Sequence, residues 1–102
     1  MSTTINIKEV VHKSLSSRKD GRKLRRHLEK LWDENDRLEI DFSGMEIASV
    51  SFLDEAFGAL LDNHSLDEMK GKLSFINIED EDRKLLNYII LSRKKELERT
   101  GY

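Results

Sequence analysis

Leu38-Glu39-Ile40-Asp41-Phe42-Ser43-Gly44, joined by a short loop through Glu46 to Ser51-Phe52-Leu53-Asp54-Glu55-Ala56-Phe57, is the stretch from which the fold can be read. In its first half the apolar Leu38, Ile40 and Phe42 alternate with the polar Glu39, Asp41 and Ser43, the period of a strand with one buried face. Ser43-Gly44 ends that strand. In the second half Phe52, Leu53, Ala56, Phe57, Leu60 and Leu61 recur at the spacing of an amphipathic helix, closed by Asp62-Asn63. The pattern predicts a strand over 38–42 and a helix over 52–61. Ser51 is the expected N-cap, with Asp54 three residues on placing negative charge in the first turn, and Ser49 is expected to satisfy the turn.

Working outward, Leu24, Leu28, Leu31 and Trp32 fall on one helical stripe and predict a helix over 18–34, capped by Ser16 or Ser17. Gly21 costs such a helix about 1 kcal/mol relative to alanine, so its first turn is expected to fray or to begin late. Further upstream, Ile5 and Ile7 alternate with Asn6 and Lys8 and lead into Val10-Val11, which reads as a strand or extended lead-in over 4–11. Asn35-Asp36 marks the turn before the central strand. Downstream, Gly71 marks another turn, and Leu73, Phe75, Ile76 and Ile78 predict a strand apolar enough to be covered on much of both faces. Asp80 or Glu81 opens a last helix with Leu85, Leu86, Ile89, Ile90 and Leu97 as its stripe, and Arg93, Lys94, Lys95 and Arg99 near its C-terminal end complement the dipole. Strands alternating with helices argue for an α/β fold: a small, mainly parallel sheet with right-handed crossovers and amphipathic helices packed on it.

With 102 residues and 11.9 kDa, the chain has room for one domain, spanning 1–102. It contains no cysteine, which excludes disulfides, thiolate metal sites and a cysteine nucleophile. The N-terminal residues lack a basic, apolar leader pattern, and the longest apolar run is Tyr88-Ile89-Ile90-Leu91, so a cytoplasmic protein without membrane contact is expected. The formal net charge is −2, but the charges are segregated. Residues 13–30 hold eight basic and two acidic side chains, net +6, and residues 33–68 hold eleven acidic and one basic, net −10. Such asymmetry steers partners.

Arg18, Lys19, Arg22, Lys23, Arg25, Arg26 and Lys30 suit phosphates, which makes a nucleic-acid accessory protein one alternative. No aromatic residues interleave with those charges, and the acidic middle of the chain opposes the same ligand. Asp41, at the end of a parallel strand, stands where α/β sheets place chemistry, so a phosphoacceptor domain is a second alternative. The favoured reading is that Asp41 anchors the following turn. Asp54 and Glu55 point in different directions on a helix and suit the dipole or a partner better than shared proton transfer. His12, His27 and His64 stand apart from one another and read as surface histidines. Neither G-x-x-x-x-G-K-S/T nor G-x-G-x-x-G occurs, and the residues predict a non-enzymatic chain without cofactor or metal.

The segments Asp41-Phe42-Ser43-Gly44 and Ser51-Phe52-Leu53-Asp54-Glu55, with Ser17-Arg18, Gly21 and Leu24 upstream, resemble a family of small STAS-like domains of unknown function, related to the STAS domains of bacterial anti-sigma-factor antagonists. The resemblance runs over about residues 5–93. It implies a regulatory protein-interaction module that binds a GHKL-type ATPase or kinase in partner switching. In the antagonists that kinase phosphorylates the first serine of an Asp-Ser-Ser-Gly loop, and the unphosphorylated form sequesters the kinase. Val50 occupies the corresponding position here, flanked by Ser49 and Ser51, either of which is a candidate phosphoacceptor. The resemblance implies Val50, Phe52, Asp54 and Glu55 as docking residues. Arg22, Arg25 and Arg26 are the expected residues for steering an acidic partner.

Overall fold

The computed structural model describes residues 2–11, 18–45 and 49–100. The expected caps Ser16 and Ser17, together with His12, lie outside them. Three parallel strands form the sheet in the order β1 (Ser2–Asn6), β2 (Arg37–Asp41), β3 (Leu73–Ile76). Five α-helices, α1 (Ile7–Val11), α2 (Arg18–Trp32), α3 (Val50–Ala56), α4 (Leu66–Lys72) and α5 (Asp80–Thr100), accompany it among the described residues, with a 3-10 turn over Gly58–Asp62 after α3.

The register aligns Ile5 with Ile40 and Ile40 with Phe75, and Thr3 with Leu38 and Leu38 with Leu73, so the apolar side chains of β2 form rows across one face. Leu38 and Ile40 are fully buried there. The intervening row, Thr4, Glu39 and Ser74, is polar and at most half-buried, and Thr4 Oγ1 donates to Glu39 Oε1 at 2.9 Å. The expected covering of β3 on both faces is therefore replaced by one apolar face. Leu73 alone in β3 is buried, and Ser74, Phe75 and Ile76 are half-buried.

The N-terminal strand is shorter than the expected 4–11 and starts earlier. Asn6 Oδ1 accepts from the Glu9 N–H at 3.3 Å, which ends β1 and begins α1. Ile7 and Val11, one helical turn apart, are then both buried. On α2 the buried residues are Gly21, Leu24, Leu28 and Trp32. Where a later start was expected, the helix is already formed at Arg18, ahead of Gly21. A Cβ there would lie 2.6 Å from the Phe52 carbonyl oxygen and 2.9 Å from Glu55 Cβ, so the missing side chain is what lets α2 and α3 touch backbone to backbone.

The helix expected over 52–61 begins two residues earlier and breaks at Phe57. Gly58 starts the 3-10 turn with its Cα beside Asp54, where a Cβ would lie 2.7 Å from Asp54 Oδ1. Helix α4 occupies the place where Gly71 suggested a turn. Ser65 and Glu68 form a reciprocal capping box at its start, and only Met69 is buried. Phe57 meets Phe75 edge-on at 5.3 Å, joining the end of α3 to β3. On α5, Leu86, Ile89 and Ile90 are buried, whereas Leu97, expected on the same stripe, is exposed because the helix has run past the body of the domain.

Candidate functional site

Three polar side chains stand where the parallel strands end. Asn6 closes β1, Asp41 closes β2 and Asn77 follows β3, at the carboxyl-terminal edge that carries ligands in open α/β sheets. Asp41 Oδ1 accepts from the Ser43 N–H at 2.9 Å, Ser43 Oγ at 2.7 Å and Asn77 Nδ2 at 2.9 Å. Asn77 sits at φ 56°, in the left-handed region that asparagine tolerates best among side-chain-bearing residues, and Gly44 at φ 73° completes the turn after Ser43. The Asn77 and then the Ser43 hydrogen bonds, with a smaller one from Asn6, outweigh burial and hold the Asp41 carboxyl below the usual carboxylate range. A carboxyl depressed in the folded state contributes stability that is complete above its unfolded value, about 3.9, and disappears as pH falls through the lower folded value. Asp41 thus anchors the turn, with three donors converging on its Oδ1. Among the described residues no three His, Asp or Glu side chains converge on a metal-binding point.

The turn delivers the chain to α3. Its N-cap is Ser49 and not Ser51: the Ser49 backbone is extended, at φ −154° and ψ 145°, and its Oγ accepts from the Phe52 N–H at 3.1 Å. Ser51 lies one residue inside the helix, half-buried. Val50, the first helical residue, is 56% exposed. Phe52, read as a docking residue, is fully buried among core side chains, on the apolar face that the helix pattern gave it, and is not open to a partner.

Asp54 and Glu55 are held inside the molecule. Arg93 Nη1 donates to both Asp54 oxygens at 3.0 Å and its Nη2 reaches Asp62 at 3.4 Å. Burial alone would lower the Arg93 guanidinium, but Asp54 and Asp62 outweigh it and leave it above its ordinary value. Arg25 Nη1 donates to the Glu55 carbonyl at 2.6 Å and to Glu55 Oε2 at 2.9 Å, while Arg18 reaches both carboxylates at 3.4 Å. Arg25, expected to steer a partner, is therefore committed to α3. Arg22 and Arg26 are exposed.

Beside Val50 a shallow groove of 310 Å³ runs between α3 and α5, with Tyr88 and Arg93 on its far wall. Tyr88 is 70% exposed and was missed in the sequence because it sits inside an apolar run that reads as core. His64, read as a surface histidine, is instead stacked on Trp32 with ring centroids 3.9 Å apart, and its Nε2 lies 2.5 Å from Glu29 Oε1. Trp32 and Phe57 belong to the core. Tyr102 lies outside the described residues.

A family model described as STAS-like domain of unknown function (DUF4325) matches residues 20–83, a span from the first turn of α2 to the first turn of α5 that contains Asp41, Asn77 and all of α3 but not Asn6, Arg18, Tyr88 or Arg93. The chain belongs to that family. The STAS-like match is narrower than the 5–93 expected, leaving out β1, α1 and most of α5. No curated protein and no solved structure matches the chain. Membership supports a regulatory or interaction module, and such domains are generally non-enzymatic. No helix among the described residues is long and apolar enough to cross a membrane.

Proposed function

We propose that this STAS-like domain is a cytoplasmic protein-interaction module that docks a GHKL-type ATPase or kinase through the start of α3 in a partner-switching circuit. The observation that carries the reading is the exposure of Val50 on the first turn of a helix held by its neighbours on two sides. Gly21 seats α3 against α2, and Arg18, Arg25 and Arg93 hold its two carboxylates from neighbouring helices. An apolar side chain on so constrained a base loses little conformational freedom on binding. Tyr88 and the α3–α5 groove extend the contact, and tyrosine is a frequent interface anchor.

Ser49 and Ser51 bracket Val50, so a phosphate on either places a charge of about −1.5 to −2 beside the docking residue. On Ser49 it also replaces the hydroxyl that caps α3. Affinity purification of the tagged chain from its native cells at low salt, followed by mass spectrometry, tests the reading. Recovery of a GHKL ATPase by the wild type and its loss with Val50→Asp is the expected result. A phosphate mass increment on Ser49 or Ser51 makes the module a switch, and the same partner without phosphate makes it a constitutive binder. Equal recovery by the variant removes the α3 surface from the interaction.

A further inference from the structure

Helix α2 separates its cations. Arg18 and Arg25 face α3, whereas Lys19, Arg22, Lys23, Arg26 and Lys30 are exposed and form no ion pair among the described residues. Their spacing places them on one stripe of the helix, on the side away from Gly21 and Leu24. The stripe forms one wall of a groove of 870 Å³ between α1 and α2. The half-buried Val10 provides apolar surface, while Glu9 and Asp20 offset only part of the positive charge.

From this geometry we infer that the α1–α2 groove binds an extended acidic segment of a partner protein. The stripe from Lys19 to Lys30 is about 16 Å long at 1.5 Å per helical residue, the length of about five residues of extended peptide. In such a peptide alternate side chains point to opposite sides, so carboxylates meet the α2 cations while the residues between them face the α1 side of the groove at Val10. A nucleic acid fits less well. Among the described lining residues the one aromatic ring is the half-buried His27, with no phenyl, phenol or indole platform for a run of bases, and the net −10 carried by residues 33–68 repels a long polyanion more than a short peptide. The surface lies on the opposite side of α2 from α3, so the inference stands apart from the docking role of Val50.

Fluorescence anisotropy with a labelled peptide of about eight residues alternating glutamate and leucine, chosen to span the stripe, tests it on the full chain. The expected result is binding that weakens about tenfold as salt rises from about 0.05 to 0.3 M, with no binding of the matching lysine–leucine peptide. The double variant Lys23→Glu/Arg26→Glu loses at least about tenfold in affinity with an unchanged melting temperature, since both side chains are exposed, and Val50→Asp keeps the wild-type value. Absence of binding to the acidic peptide overturns the inference, as does binding that survives the double variant. Tighter binding of a labelled DNA duplex through the same two residues overturns it in favour of a nucleic-acid surface.

Discussion

Arg25 and Arg26 are neighbours in the chain and identical in chemistry, yet the two faces of α2 on which they stand have opposite fates. Arg25 is three-quarters buried, with its guanidinium on a carbonyl and a carboxylate of α3, while Arg26 is exposed above the α1–α2 groove. A helix turns about 100° per residue, so adjacent cations are sent to different surroundings. Charge on the inward face is consumed in holding two helices together. Charge on the outward face keeps its field for something outside the molecule. A count of basic residues along a helix therefore overstates what a partner can see.

The strongest way to break the inward face is at Gly21. Gly21→Ala puts a methyl group where a backbone oxygen already lies, and urea titration should show a loss of about 3 kcal/mol as α2 and α3 are pushed apart. The contrast between adjacent arginines is sharpened by a pair of substitutions. Arg25→Ala should cost about 1.5 kcal/mol by removing the donor shared by the Glu55 carbonyl and Oε2 and leaving the carboxylate the longer Arg18 contact, and Arg26→Ala should stay within about 0.5 kcal/mol of wild type. Equal effects would mean that the two faces are energetically alike. On the partner helix, Ser49→Ala removes the cap and should lower stability by about 1 kcal/mol in the same titration, with the loss of helix content confined to α3. The smallest effect has the opposite sign. Gly71 is helical and a Cβ there meets open space, so Gly71→Ala should raise the midpoint by the equivalent of about 0.5 kcal/mol. Two glycines in helices would then be separated by what their missing Cβ faces.

Much of the architecture was legible because its signals are local. Leu38, Ile40 and Phe42 alternate over one strand, Leu24, Leu28 and Trp32 repeat on one helix, and both patterns survive in the structure. Asp41 as a turn anchor was readable from its place before Ser43-Gly44. Helix α4 carried a legible signal that was overlooked: Ser65 followed by Glu68 is the capping-box spacing, hidden by a glycine in the last turn and by the single buried residue Met69. The site was read less well. Ser49 and Ser51 were both marked, but which of them caps α3 depends on how the chain enters from β2. Phe52 lies on the apolar face that the sequence pattern gives and is buried there, whereas Val50, ahead of the expected helix start, stands exposed on the first turn.

By itself the amino-acid sequence determined the α/β class, the parallel order of alternating elements and the STAS-like motif, because hydrophobic period and turn residues act over a few positions. Only the tertiary structure decided which charges are spent and which remain. Asp54 and Arg93 are 39 positions apart, Glu55 and Arg25 are 30, and Glu29 and His64 are 35. Interactions at such separations exist only after helices pack, when distance in space replaces distance along the chain, and no local pattern announces them.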